Sequence, residues 1–82
     1  MNKDNNAQEL QAYYFQLNVT YQECERLYMP GNNTCLMRAE NGARIQVPSK
    51  NLRPFVTSLG IKGRFRLITD KNNKLKSFEK IA

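Results

Sequence analysis

The organising segment of this 82-residue chain spans residues 47–68 and reads VPSKNLRPFVTSLGIKGRFRLI. Pro48 ends one strand, because proline cannot donate a hydrogen bond to a sheet ladder. A short helix is expected next, capped by Ser49 or Asn51. Gly60 suits the left-handed position at which helices end. The apolar side chains between these signals recur with helical spacing and predict a stripe that packs on a sheet, formed by Leu52, Phe55, Val56 and Leu59.

The segment closes with a strand, predicted over residues 61–69, whose two faces differ in character. Phe65 and Leu67 fall on one face, because successive side chains of a strand alternate. Arg64 and Arg66 fall on the other face. One strand therefore carries both an apolar surface for the core and two positive charges for the outside.

A last strand is predicted over residues 74–81, after a turn at residues 70–73 that contains Asp and Asn. The direction of Phe78 in this strand stays open. Strict alternation places it with the outward-facing lysines, whereas a β-bulge would turn it inward.

The residues before the organising segment supply a strand, a helix and a hairpin. Residues 12–19 alternate apolar and polar side chains, as a half-buried strand does. Thr20 and Glu23 have the spacing of a capping box at a helix start. Asn41-Gly42 lies between two β-like runs, 34–40 and 43–47, and predicts a hairpin with a type I′ turn. The stripe of the first helix consists of Tyr21, Cys24, Leu27 and Tyr28.

These elements follow one another as β-α-β-β-α-β-β. Hairpins dominate and no long crossover is needed, so we expect a single small α+β domain over residues 12–82. Its strands are predicted to form a twisted, mainly antiparallel sheet with two short helices. Residues 1–11 are polar and are predicted to form a disordered arm.

Composition limits the classes of function. The net charge is +6, and residues 43–82 contain ten Lys or Arg against two Asp or Glu. Such an asymmetry favours an anionic partner, although a charged surface also serves solubility. Cys24 and Cys35 are expected to be reduced in a cytoplasmic protein, with Cys35 a small core residue. The chain has no His, so we expect no metal site and no cofactor.

The hairpin and the organising segment also carry a resemblance. The residues concerned are Tyr28, Gly31, the run RAENGARIQVP at 38–48, LRPFVT at 52–57, GIKGRFRL at 60–67 and Lys74-Leu75. This pattern resembles a family of small uncharacterised proteins from gamma-proteobacteria, a domain of unknown function. The resemblance implies a bacterial, cytoplasmic setting and no established activity.

The sequence offers little support for an enzyme. An acyl-transfer nucleophile needs a base, usually His, and a phosphate-cradling loop needs a longer spacing than Gly60-Ile61-Lys62-Gly63 provides. We therefore expect a non-enzymatic module.

Binding of RNA or single-stranded DNA through a basic sheet face is the leading hypothesis. Such binders combine phosphate neutralisation with stacking of bases on aromatic rings. The alternative is an outer face that is charged for solubility only. The candidate contact residues are positively charged or aromatic, and they are Arg64, Arg66, Lys76, Lys80, Lys62, Arg44, Arg53 and Tyr14.

A second hypothesis is a protein–protein interaction module or homodimeric adaptor with no nucleic-acid partner. Tyrosine and methionine are numerous for so small a core, and both are enriched at interfaces. A membrane partner is not expected, because neither helix is both basic and strongly amphipathic. For Arg53 a structural role is favoured, since its planar donor group suits fixing a loop, for example through a loop carbonyl or through Glu40 or Asp70.

Overall fold

The computed structural model describes residues 9–82. The predicted order of elements is confirmed, and β1 includes Leu10 and Gln11, which the sequence assigned to the arm. The rest of the predicted arm, residues 1–8, lies outside the described residues. In chain order the elements are β1 (Leu10–Val19), α1 (Tyr21–Cys24), a 3₁₀ turn (Glu25–Tyr28), β2 (Thr34–Arg38), β3 (Arg44–Pro48), α2 (Ser49–Leu52), a second 3₁₀ turn (Arg53–Phe55), β4 (Ile61–Asp70) and β5 (Leu75–Lys80).

The strands form two antiparallel sheets, which confirms the predicted α+β class. One sheet has the order β1-β4-β5, and the other is the β2-β3 hairpin. Phe15 on β1 lies directly opposite Phe65 on β4. The hairpin contacts the edge of β1, where the Glu40 N–H donates to the Tyr14 carbonyl at 2.7 Å.

The first helix begins as predicted and ends differently. The Thr20 hydroxyl accepts from the Glu23 N–H at 3.1 Å, and the Glu23 carboxylate accepts from the Thr20 N–H at 3.0 Å, so the capping box is confirmed. After one α-helical turn the chain tightens to 3₁₀ geometry. Because the stripe is then out of phase, Tyr21 and Tyr28 are exposed instead of packed.

The hairpin is confirmed, but its predicted type I′ turn is wrong. A type I′ turn needs positive φ at both central positions, and Gly42 has φ +92° while Asn41 does not have a positive φ. The Gly42 N–H donates to the Ala39 carbonyl and the Ala39 N–H to the Ala43 carbonyl. This is a three-residue loop that ends in a glycine bulge, and the Asn41 side chain supports it by accepting from the Ala43 N–H at 2.9 Å.

The second helix is shorter than predicted, and its predicted caps are wrong. The Ser49 side chain is buried and donates to the Asn32 carbonyl at 2.8 Å, so it fastens a loop instead of capping the helix. Neither Ser49 nor Asn51 makes a capping hydrogen bond. Pro54 has no N–H to continue the α-helical ladder, so the α-helix ends at Leu52 and a 3₁₀ turn follows. The backbone is extended from Val56. Leu59 consequently falls outside the stripe and is 70% exposed.

A β-bulge settles the direction of Phe78. The pairing of β4 with β5 shifts between Ile68 and Thr69, which leaves Lys76 as the extra residue. Phe78 therefore lies opposite Leu67, on the inner face. Its ring stacks on Phe65 with 5.3 Å between centroids, and Phe55 meets both rings edge-on at 5.1 and 5.7 Å.

The core lies between the two sheets and receives side chains from both sheets and from both helical segments. The residues buried in it are Phe15, Cys24, Leu27, Ala39, Val47, Leu52, Ile61, Phe65 and Leu67. Cys24 and Cys35 are free thiols, and Cys35 is half-buried against this core. Burial raises the pKa of Cys24.

Candidate nucleic-acid interface

The outer face of the β1-β4-β5 sheet brings three of the candidate residues together. Tyr14 on β1 is the register partner of Arg66 on β4, and Arg64 is two residues away on the same face. The Arg64 guanidinium carbon lies 4.7 Å from the centroid of the Tyr14 ring. This distance is that of a cation–π contact.

Glu40 holds the Arg64 guanidinium in place. The Nε and Nη2 groups of Arg64 each donate to the Glu40 carboxylate at 2.9 Å. The hydrogen bonds lower the pKa of Glu40 and raise that of Arg64. Glu40 lies in the hairpin turn, so this ion pair links the hairpin to β4 across the edge strand β1.

Arg66 is engaged by a second carboxylate. Its Nε donates to Glu79 at 3.2 Å, its Nη2 donates to the same oxygen, and Glu79 is its register partner on β5. The Glu79 hydrogen bond is the main reason why the pKa of Arg66 is raised, with a smaller contribution from Tyr14. Each central arginine thus has a carboxylate partner, and the face is less positive than the sequence suggests.

The lysines do not extend this face as a single patch. Lys62 lies on it, and its ammonium donates to the Asn18 side chain. Lys76 is exposed at the bulge, and its charge helps to lower the pKa of Asp70, after the larger effect of the hydrogen bond from the Lys74 N–H. Lys80 is the register partner of Phe65, and its stem passes over Gly63. The expectation that Lys80 lies beside Arg64 and Arg66 is therefore wrong, because the bulge changes which side of β5 it occupies.

Arg53 and Arg44 lie elsewhere. The Arg53 Nε donates to the Leu27 carbonyl at 2.8 Å, and its guanidinium carbon is 5.6 Å from the centroid of the Tyr28 ring. Arg53 therefore bonds a backbone carbonyl, as expected for a structural role, but the carbonyl belongs to the first 3₁₀ turn and not to a loop. Arg44 is exposed at the turn end of the hairpin, opposite Arg38.

Three residues of the site were missed at the sequence level. Glu40 is 24 positions from Arg64, so no local spacing links the two. Glu79 was missed because its facing depends on the β-bulge, which places it opposite Arg66. The pairing of Arg38 with Arg44 was not detectable, since a two-residue turn at Asn41-Gly42 pairs Arg38 with Ile45, and only the three-residue loop brings Arg38 opposite Arg44.

The family comparison bears on the chain as a whole. A family described as "Protein of unknown function (DUF2835)" matches residues 11–81. The chain belongs to this family. Neither the curated proteins nor the solved structures gave a match. Membership confirms the resemblance to a domain of unknown function and identifies no activity.

One further concave surface lies at the gap between β1 and β2. It has a volume of about 390 Å³ and a mostly apolar lining that includes Leu17, Val19, Leu27, Cys35 and Met37.

Among residues 9–82 no three His, Cys, Asp or Glu side chains cluster in a way that would hold a metal ion. No helix within the same range is long and apolar enough to cross a bilayer.

Proposed function

We propose that this protein is a non-enzymatic module that binds single-stranded RNA or DNA through the outer face of the β1-β4-β5 sheet. The observation that supports it is the Arg64 guanidinium held 4.7 Å from the Tyr14 ring centroid, with Arg66 beside it. Unstacked bases stack on guanidinium planes as well as on aromatic rings, and guanidinium groups bind phosphate. A preorganised arginine is suited to both contacts.

Glu40 and Glu79 compete with a phosphate for these arginines, but the competition is weak. The side chains of Arg64 and Glu40 are 39% and 35% exposed, and those of Arg66 and Glu79 are 38% and 46% exposed. Ion pairs in such contact with water contribute little net free energy, although the two-point Arg64–Glu40 pair contributes more than the Arg66–Glu79 pair, which uses one carboxylate oxygen. Each arginine also keeps its Nη1 donors, because its bonds to the carboxylate use Nε and Nη2.

Titration of labelled single-stranded RNA and DNA at several salt concentrations tests the proposal. We expect the logarithm of the binding constant to fall linearly with the logarithm of salt concentration, because phosphate contacts release counterions. The double variant Arg64→Glu/Arg66→Glu should abolish binding. Absence of binding by the wild type at low salt would reject the function.

A carboxylate variant separates an arginine that binds phosphate from one that only stabilises the sheet. Glu79→Gln removes the charge that competes for Arg66, so nucleic-acid binding should become tighter. The matched control is Glu25→Gln, which removes one exposed negative charge from the 3₁₀ turn after α1. Equal effects of the two variants would mean that net charge alone acts, and that Arg66 is no ligand.

The second candidate function is self-association as a homodimeric adaptor without a nucleic-acid partner. It is favoured by β5, which is an edge strand with an unpaired side and pairs readily with the same strand of a second copy. The bulge at Lys76 and the exposed Lys80 oppose such pairing, because both are features that protect sheet edges. Small-angle scattering over a range of protein concentrations distinguishes a dimer from a monomer.

The setting belongs to the same proposal. A gamma-proteobacterial origin and a cytoplasmic location are supported by the resemblance carried by residues 28–75 and by the two free thiols. Nucleic acid and reduced cysteines coexist in that compartment. Fractionation of cells that express a tagged chain tests the location.

A further inference from the structure

Arg38 and Arg44 lie directly opposite each other at the turn end of the hairpin, and both side chains are exposed. Ala39 and Ala43 form the next pair toward the turn, joined by an N–H to carbonyl bond of 2.8 Å. Bonded and non-bonded pairs alternate along an antiparallel ladder, so the arginine pair is of the non-bonded kind. Side chains stand closest in such pairs.

The two arginines share the solvent face of the hairpin. Cys35 and Met37 on β2 and Ile45 and Val47 on β3 pack against or within the core. The alternate residues, which include both arginines, therefore face away from it. Leu36 is two residues before Arg38 on this face and is 60% exposed.

This arrangement is unfavourable to the isolated fold. Like charges directly opposite each other on neighbouring strands repel. Within residues 9–82 both salt bridges use arginines of β4, so no carboxylate offsets the repulsion between Arg38 and Arg44. Glu40 is the closest acid in sequence, and Arg64 engages its carboxylate.

We infer that the Arg38–Arg44 pair is an oxyanion clamp that binds a phosphate group of a single-stranded nucleic acid. The inference rests on the proposed function and assigns a second contact region to the same ligand. A phosphate between the two guanidinium groups adds two attractions, which offset the repulsion between them. Each planar fork can also donate two parallel hydrogen bonds to phosphate oxygens.

Continuity with the sheet face selects a nucleic-acid strand as the source of that phosphate. The hairpin meets β1 where Glu40 bonds the Tyr14 carbonyl, only two residues after Arg38. The clamp is thus a neighbour of the cluster formed by Tyr14 and Arg64. Glu40, which contacts both Tyr14 and Arg64, is two residues from Arg38, so we expect a strand stacked on that cluster to continue past Glu40 toward the clamp. Exposed Leu36 offers an apolar surface to a base.

Titration of a labelled single-stranded oligouridine tests the clamp against a variant that removes it. Arg38→Gln/Arg44→Gln should weaken binding roughly fivefold or more at low salt and make the salt dependence shallower by about 0.7, since one phosphate contact is lost. The matched control Lys71→Gln/Lys74→Gln removes two exposed charges from the turn between β4 and β5. It should change binding much less than the arginine variant.

A second measurement does not depend on nucleic acid. At constant ionic strength set with chloride, inorganic phosphate should raise the Tm of the wild type and leave that of Arg38→Gln/Arg44→Gln unchanged. The control variant should respond as the wild type does. The same thermal denaturation also shows directly whether the variants fold.

The outcomes separate the clamp from the function on which it rests. Oligouridine binding that is equal in the arginine and lysine variants, with no selective response to phosphate, overturns the clamp and leaves the proposed function standing. A phosphate response that depends on the arginines, without any oligouridine binding, overturns the proposed function and retains the pair as a phosphate site. Loss of both signals in the arginine variant alone supports the clamp in full.

Discussion

Arg38 on β2 and Arg66 on β4 are each directly opposite a charged residue of the neighbouring strand, and the two neighbours have opposite signs. Arg66 faces Glu79, which accepts hydrogen bonds from its guanidinium. Arg38 faces Arg44, and neither has a carboxylate partner in the described part of the chain. The two arginines of the three-stranded sheet are therefore paired with carboxylates, whereas the two arginines of the hairpin are opposite each other.

The difference shows that the number of charged residues in a segment does not predict the net charge of the surface that the segment forms. The C-terminal half carries most of the positive residues, yet its two central arginines are paired with Glu40 and Glu79. The Arg38–Arg44 pair on the hairpin has no carboxylate partner among residues 9–82. It includes one arginine, Arg38, from the half of the chain with more acidic than basic residues.

The largest expected effect tests whether the buried inner face, and not the charged outer faces, supplies the stability of the fold. Phe65→Ala removes a buried ring from the aromatic cluster and should lower the free energy of unfolding by about 3–5 kcal/mol. Leu59→Ala, at an exposed apolar position, is the control and should change it by less than ~0.5 kcal/mol. Urea denaturation measures both. A small effect of Phe65→Ala would mean that stability resides outside the inner face.

The next effect compares Gly60, which lies against the backbone at the end of β1, with Gly42 in the hairpin turn. Gly60 and Gly42 have φ of +94° and +92°, and alanine in the left-handed region costs about 1–2 kcal/mol at either position. A Cβ at Gly60 would also lie 1.9 Å from the Val19 carbonyl oxygen, whereas one at Gly42 meets nothing within 4 Å. Gly60→Ala should therefore lower the denaturation midpoint clearly more than Gly42→Ala. Equal decreases in the two midpoints would show that the Val19–Thr20 backbone can move to make room for the methyl group.

A smaller effect tests the electrostatic contrast itself. Arg44→Gln removes the like-charge opposition and should raise the free energy of unfolding at low salt by roughly 0.5 kcal/mol. Glu79→Gln removes an attraction and should lower it modestly. Both changes should fade as salt is added, because screening weakens exposed charge interactions. If Arg44→Gln destabilises the chain at low salt, the two arginines do not repel.

The smallest effect is a loss of stability in acid. Hydrogen bonds from Arg64, Thr20 and the Lys74 N–H lower the pKa values of Glu40, Glu23 and Asp70 from ordinary values of 4.5, 4.5 and 3.8. A carboxyl whose pKa is lower when folded stabilises the fold above its unfolded pKa, and this contribution disappears as the pH falls through the folded value.

Thermal denaturation from pH 6 downward should therefore show constant stability until about pH 4.5 and a decline below it. Glu40→Gln should make the decline shallower than that of the wild type, since one of the three groups no longer titrates. An unchanged acid profile in this variant would mean that the Glu40–Arg64 pair contributes nothing to stability.

Local signals predicted most of the fold. The capping box of Thr20 and Glu23, the Asn41-Gly42 hairpin and the alternation of Phe65 and Leu67 each depend on residues close in sequence, so each is visible there. The errors occur where contacts between distant residues override local preference. The Ser49 hydroxyl donates to the Asn32 carbonyl instead of capping α2. The bulge at Lys76 moves Lys80 to the other face of β5, and it also decides the direction of Phe78, which the sequence left open.

The candidate site was predicted less well than the fold, for the same reason. Tyr14, Arg64 and Arg66 were placed on one face by alternation, and that part agrees with the structure. The positive charge of Arg64 is offset by Glu40, whose position relative to β4 follows from how the hairpin docks on β1. No spacing in the chain encodes that contact.

The amino-acid sequence on its own determined the succession of strands and helices, the apolar side of every strand except β5, and the excess of positive charge. These follow from turn chemistry, side-chain periodicity and composition, which are local properties. Only the tertiary structure decided which cations are paired, because an ion pair requires two side chains to meet in space. Arg64 and Arg66 meet carboxylates while Arg38 and Arg44 meet each other, and strand register and hairpin docking produce that result.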